Sequence, residues 1–344
     1  QKPLTHNVKE ARMLTELARK NKIVTQMGNQ GASNPEQKMI QKWIKDGRIG
    51  KVHTVHTWTN RPVWAQGSPM PKPDPSQKPD GMDWDLWIGP AKNNGYTPGL
   101  HAFSWRGYWD YGTGSLGDMG CHIMDVPVKA LGMFEPYSIE ASVPRVPYVG
   151  DYTPAPIYDD SCPPSSYVTY KFRPSKLNDS PVKLVWMDGG LRPSHPDIIT
   201  DKDDIGENGV LMFGENGLIW CDNYGINARL YIKGQKGAVE IGKVSEINAV
   251  EFGHQRFWVD AIREGYGGEK YNNLTSNFDF AGPLSEIVLL GNAAIRSSLL
   301  KRSSRSNVFI GKKQLLYDSK NMVITNLDKA NQYLTRDYRS GWEI

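Results

Sequence analysis

The chain has 344 residues, 39% of them hydrophobic and 23% charged, with a formal net charge of +4. It is long enough for two domains and apolar enough to bury a core in each. The small basic excess is dispersed among nearly as many acids, which gives no basis for expecting a nucleic-acid-binding surface.

Asn7 and Glu10 have capping-box spacing, and Ala11, Leu14 and Ala18 fall on one stripe, so a helix is predicted from Asn7 to Lys20. Ile23 to Met27 reads as a short apolar strand and Gly28-Asn29-Gln30-Gly31 as a turn. Asn34-Pro35 then starts a second helix that carries Met39, Ile40, Trp43 and Ile44 and ends at Asp46-Gly47. Lys51 to Thr59 alternates in the manner of a strand entering a new sheet. Pro62 to Pro79 is a long surface loop, and Asp83 to Pro90 a helical turn or packed loop. After a helix ending near Gly132, strands are expected at Ile139–Val143, Ser166–Phe172, Val182–Asp188, Gly209–Gly214, Gly217–Cys221, Arg229–Ile232 and Ala238–Ile241. Turns rich in Gly, Asn and Asp make these connections antiparallel. Phe252–Arg263 and Phe280–Leu300 read as helices, and Leu315–Tyr317 as a late strand. The basic run Lys301, Arg302 and Arg305 is a solvated loop. No stretch has the length of a membrane helix.

The densest chemistry lies in Ser115-Leu-Gly-Asp-Met-Gly-Cys-His-Ile-Met-Asp125, which runs into a helix. Asp118 and His122 are four apart and share a helical face. A lone histidine in such a place is more often structural than catalytic. The three cysteines, Cys121, Cys162 and Cys221, are odd in number and widely spaced, so they make neither a disulfide framework nor a metal knuckle. Cys121 is either a buried thiol or, less in keeping with its surroundings, a nucleophile. No clustered ligands imply a metal. The run Gly112-x-Gly114-x-x-Gly117 imitates a dinucleotide fingerprint, but no apolar strand precedes it, and Gly28-x-x-Gly31 is too short.

Lys2-Pro3, a helix, Met27-Gly28-Asn29 and then Gly117-Asp118-x-Gly120-x-His122-x-x-Asp125 together resemble the Gfo/Idh/MocA oxidoreductases, the family of glucose–fructose oxidoreductase and inositol dehydrogenase. The resemblance implies an α+β fold: the residual C-terminal part of a Rossmann α/β domain over residues 1–50, then a large open, mostly antiparallel sheet domain with helices on one face over 51–344. The 118–132 helix would lie at the cleft, and the C-terminal segment would return to the N-terminal part. Lys2, Asp118 and His122 match the family's catalytic positions, and Asp125 its supporting aspartate. His122 would be the base in oxidation, Asp118 would orient it, and Lys2 would steady the developing alkoxide. Lys2, Asn29 and Gln30 fall on the cofactor side. The family's phosphate-binding glycines and ribose-holding acid have no counterpart, so the chain is expected to be incomplete and NAD or NADP to be bound only by a longer parent.

Trp105, Arg106, Trp109 and Tyr111 precede the motif. They either line the substrate side or pack a junction, with Arg106 paired to Asp110 or Asp118. His195, in a proline-flanked loop, is a candidate for the pocket mouth. His53 and His56 fall on opposite faces of their strand and make no metal pair. Three functions follow: an NAD(P)-linked oxidoreductase of a sugar or polyol, an NAD-dependent glycoside hydrolase of the same superfamily, or a non-catalytic oligomeric binding domain. A homo-oligomer is expected, with no nucleic acid and no membrane span. N-terminal targeting information is absent, which leaves cytoplasm and export open.

Overall fold

The computed structural model describes residues 1–144, 148–149, 153–154, 158–242, 253–303, 306 and 308–344. Phe252 and Arg305, two ends of sequence-based assignments, lie outside them. Helix α1 (Val8–Lys20) starts as its sequence dictates: the Asn7 side chain accepts from the Glu10 N–H, and the Glu10 carboxylate accepts from the Asn7 N–H. Helix α2 (Pro35–Lys45) is capped by Asn34, with Pro35 at its first turn.

Strand β1 (Val52–Trp58) enters the sheet, and short helix α3 (Trp84–Ile88), capped by Asp83, follows the proline-rich loop. That loop is not wholly superficial, because Trp64 is buried. Helices α4 (Gly114–Ile123) and α5 (Asp125–Leu131) meet at Met124, and left-handed Gly132 ends the second. The remaining strands are β2 (Pro136–Ser142), β3 (Tyr148–Val149), β4 (Thr153–Pro154), β5 (Tyr167–Phe172), β6 (Val182–Met187), β7 (Gly209–Gly214), β8 (Gly217–Cys221), β9 (Arg229–Ile232) and β10 (Glu240–Ile241). Helices α6 (His254–Glu264), α7 (Glu269–Asn272) and α8 (Phe278–Ser298) come next, and then strands β11 (Leu315–Asp318) and β12 (Val323–Ile324).

Ten strands form one open sheet in the order β10-β9-β8-β7-β1-β6-β5-β2-β11-β12. Only the β1–β6 pair is parallel; its other ladders are antiparallel. Alternation sends Val168, Tyr170 and Phe172 of β5 to one face, where they share a core with Leu284, Val288 and Ile295 of α8 and with Leu116 and Ile123 of α4. Full burial of each such aliphatic side chain contributes about 1.5–3 kcal/mol. Among the described residues, no helix contributes to the cluster on the opposite face. There Trp58, Val185, Leu211, Trp220 and Tyr231 are covered by Ile199 and Ile205 from the 189–208 connection. Further along, Tyr167 and Leu316 stay exposed.

Two expectations change. Ile23–Met27 is extended but joins no ladder. Its polar groups are used elsewhere: the Met27 N–H donates to the Ser276 carbonyl, and the Val24 carbonyl accepts from Trp258 Nε1. A single extended segment without a neighbouring strand among the described residues cannot make a sheet. Helix α8 has the length and apolarity of a membrane span, with 78% of its most apolar window buried in the fold, so it is a core helix. Val8, Met27, Ile40 and Trp43 from the first fifty residues enter the same core as the sheet.

Candidate active site

Helix α4 brings Asp118 to a cavity of about 200 Å³. Its walls include Lys2, His6, Trp105, Arg106, Tyr111, Thr113, Gly114 and Asp118. Lys2 Nζ lies 2.7 Å from Asp118 Oδ1 and donates also to the Asp118 carbonyl at 2.5 Å. Arg106 Nε reaches the same Oδ1 at 3.2 Å. One carboxylate oxygen thus gathers two cations from segments more than a hundred residues apart. Gly107, next to Arg106, is demanded by close approach: a Cβ there would sit 1.9 Å from the Ala65 carbonyl oxygen.

One turn along α4, His122 is 5% exposed and does not line the cavity. Burial, and then the Lys2 ammonium, push its pKa down to about 3, with Asp118 opposing. Its Nδ1 is enclosed without a partner, and its ring meets Tyr224 edge-on at 4.9 Å. The imidazole is therefore neutral at physiological pH and a weaker base than its residue type alone suggests. Tyr224 takes a left-handed backbone, φ +62°, and its side chain fills the space beside Gly31, where a Cβ would come within 2.6 Å of the Tyr224 Cβ. Cys121 is fully buried, and burial pushes its thiol up to about 12, which suits a packed thiol.

The other sequence-selected residues scatter. Trp105 is half-buried over Arg106, and Tyr111 lines the cavity. Trp109 is buried in the core, with Arg296 over its ring. Asp125 is fully buried, pairing with Lys129 at 3.0 Å and accepting from Gln37 Nε2 at 3.0 Å. It meets Gln37 of α2 and does not line the cavity. His195 is exposed, its Nε2 2.8 Å from the Asp203 carbonyl, in the connection that covers the opposite face of the sheet. Asn29 is fully buried and bonded to Ser276 Oγ, while the Gln30 side-chain oxygen is enclosed without a partner. His53 is exposed, and His56 packs edge-on against Phe213.

Sequence reasoning misses His6 and Tyr224. His6 stands three residues after Pro3, and both of its ring nitrogens are enclosed. Burial, then Arg336, push its pKa down to about 3. Tyr224 follows β8 in an Asp-Asn-Tyr-Gly turn that carries no local sign of what it touches.

The described residues do not seat a whole dinucleotide. Gln30–Ser33 form a 3₁₀ turn after a segment in no sheet, and the Asn29 side chain is already engaged. The parallel pair β1–β6 has no glycine turn leading into a helix after either strand. Among the described residues no group of His, Cys, Asp and Glu could hold a metal.

Residues 34–145 match the family model described as the oxidoreductase family, C-terminal alpha/beta domain, of the Gfo/Idh/MocA group. No protein of curated function matches the chain. Among solved structures, levoglucosan dehydrogenase in complex with NADH and L-sorbose aligns at 14% identity and TM-score 0.52, over 86% of this chain and 71% of that one. An oxidoreductase from Thermotoga maritima aligns at 15% identity and TM-score 0.50, over 92% and 69%. A super-repressor mutant of Gal80p from Saccharomyces cerevisiae aligns at 14% identity and TM-score 0.49, over 83% and 66%. The chain thus spans about two thirds of the length of these solved chains. Residues 34–145 carry a Gfo/Idh/MocA-type C-terminal alpha/beta domain, and the chain shares the fold of the levoglucosan dehydrogenase structure.

Proposed function

We propose that the chain is the substrate-binding part of an NAD(P)-dependent oxidoreductase of a sugar or polyol. The observation that carries the reading is the Lys2–Asp118 contact at 2.7 Å, one helical turn from His122, beside a cavity walled by Trp105, Arg106 and Tyr111. Residues 1–50 are the closing part of the nucleotide-binding domain in this reading, and 51–344 the substrate-binding and oligomerisation part.

A nicotinamide cofactor, when bound, supplies the hydride acceptor or donor. The chain's own residues do the rest. The Lys2 ammonium faces the substrate hydroxyl and lowers the free energy of its oxyanion. Asp118 fixes Lys2 and Arg106 in place. His122 lies one turn beyond the cavity wall and is a poor base toward an unactivated alcohol, so in this reading it takes the hydroxyl proton only when its ring turns toward the cavity and Lys2 has made the hydroxyl acidic. Trp105 and Tyr111 offer ring surface to a pyranose, and the cavity is smaller than the ~300–1,000 Å³ of pockets for drug-sized ligands, in keeping with one monosaccharide.

The test is NAD(P)-linked oxidation of a panel of monosaccharides and polyols, by the 344-residue chain and by the chain joined at Gln1 to a Rossmann domain. Substrate-dependent NADH formation by the joined form supports the reading if His122→Ala lowers it about 100- to 10,000-fold. Turnover indifferent to His122→Ala removes the residue from the chemistry. Release of nitrophenol from nitrophenyl glycosides without net NADH replaces the reading with glycoside cleavage.

A further inference from the structure

The walls of the Lys2–Asp118 cavity hold two side-chain cations, Lys2 and Arg106, against one carboxylate, Asp118. All three side chains are largely withdrawn from water, with 22%, 24% and 14% of their surface exposed. A surplus positive charge is costly in such a place unless a ligand neutralises it.

Arg106 is built in as a fixed fork. Its guanidinium lies 4.6 Å from the ring centre of Phe103 and 4.6 Å from that of Trp105. Nε donates to Asp118, and Nη1 donates to the Phe103 carbonyl at 3.1 Å. Nη2 has no hydrogen bond among the described residues. A planar cation gripped by two aromatic rings and anchored through two nitrogens has little freedom left, so its remaining edge is organised in advance for one acceptor. Gly114, the first residue of α4, lines the same cavity, and the Thr113 side chain does not cap the helix. Uncapped N–H groups at that end add to the positive potential.

Other charges reach the margin. The fields of Arg336 and Arg296 fall on His6, and that of Arg61 on Tyr224. Asp110 acts on Tyr111 and on Arg296. His6 and His122 are neutral at pH 7, because burial holds both near pKa 3. The balance at the cavity stays positive.

We propose that the substrate of this site carries a carboxylate, a sugar acid and not a neutral sugar, and that Arg106 selects it. The inference rests on the proposed sugar or polyol reading and narrows it. A carboxylate beside Arg106 Nη2 and the start of α4 neutralises the surplus charge and leaves Lys2 for the reacting hydroxyl. A phosphate ester shares the anionic chemistry but presents more acceptors than one free guanidinium nitrogen satisfies.

The experiment is titration calorimetry of the full chain with D-glucuronate, D-glucose and glucose 6-phosphate at low and high salt. The expected result is glucuronate binding at least about tenfold tighter than glucose, a preference that shrinks with salt and falls below about threefold in Arg106→Gln. Arg106→Lys, which keeps the charge and loses the fork, should retain part of the preference and serves if Arg106→Gln fails to fold. Equal affinity for glucose and glucuronate, or a preference that survives Arg106→Gln, overturns the proposal while leaving a sugar site. Tighter binding of glucose 6-phosphate overturns the carboxylate assignment. No binding of any of the three overturns both the proposal and the functional reading beneath it.

Discussion

Two buried groups with opposite pKa shifts make the acid response of this fold a quantitative test of its core. His122 is lowered from 6.5 to about 3 by burial and by Lys2. Asp188 is raised from 3.8 to about 7 by burial, against the hydrogen bonds it accepts from Trp186 and Ser166. For His122 the folded pKa lies below the unfolded one, so its contribution is whole above pH 6.5 and is lost as pH falls toward 3. Asp188 behaves the other way: its contribution is whole below 3.8 and is lost as pH rises through 7. From pH 7 to pH 5 the unfolded chain takes up most of a proton at the histidine while the native state takes up almost none, which lowers stability by about 2 kcal/mol. Over the same interval native Asp188 takes up about half a proton, which raises stability by about 2 kcal/mol. These two terms nearly cancel each other, and His6, also held near 3, adds a loss of the same size as that of His122 in parent and variant alike. The perturbation that separates them is His122→Asn, which removes the His122 term and leaves those of Asp188 and His6 unchanged. Urea unfolding at pH 7 and pH 5 should show the variant gaining about 2 kcal/mol relative to the parent on acidification, with unchanged m-values. Asp188→Asn should shift the balance by a similar amount in the opposite sense. Parallel pH profiles for parent and His122→Asn would refute the buried, neutral imidazole on which the reading of the site depends.

Asp118→Asn leaves Lys2 and Arg106 half-buried without their shared counter-charge and should cost about 1–3 kcal/mol in denaturant unfolding. The same change should remove turnover in any active form. Gly107→Ala drives a Cβ against the Ala65 carbonyl and should destabilise by about 1–3 kcal/mol while loosening Arg106, read as weaker binding of whichever sugar the cavity takes. The exposed Tyr167 and Leu316 on the face of the sheet turned away from α8 favour pairing of two copies. Light scattering at micromolar concentration should return at least a dimer, and a monodisperse monomer counts against it. The 344-residue chain alone should show no stoichiometric binding of NAD or NADP by calorimetry, since Asn29 is engaged and neither strand of the parallel pair β1–β6 leads through a glycine turn into a helix.

What can be read from the chain in advance divides along a physical line. Strands β7, β8 and β9 coincide with their sequence assignments because Gly, Asn and Asp mark their turns and apolar runs mark their bodies, all within ten residues of one another. The α1 cap is legible for the same reason, because its partners are three residues apart. Ile23–Met27 reads wrongly as a strand because pairing is a property of neighbours, and a short apolar run cannot say whether a neighbour exists. Asp118 can be marked as chemically interesting from its motif, but nothing local says that its oxygen gathers Lys2 and Arg106. Asp125 shows the opposite failure: equal in the motif, it is buried against Gln37 of α2 and pairs with Lys129 one turn along its own helix. Tyr224 is the hardest case. It is 102 positions beyond His122, on a turn whose left-handed backbone an asparagine or glycine would adopt more readily. Sheet order alone sets that turn over α4, and the space it fills exists because Gly31 has no side chain. Replacing Gly31 with Ala should therefore displace the Tyr224 ring from His122 and admit water to the imidazole. The His122 pKa, followed by NMR, should rise from about 3 toward 6.5. A titration that stays near 3 once the Tyr224 ring has moved away would show that α4 and α8 bury the histidine without help from the turn.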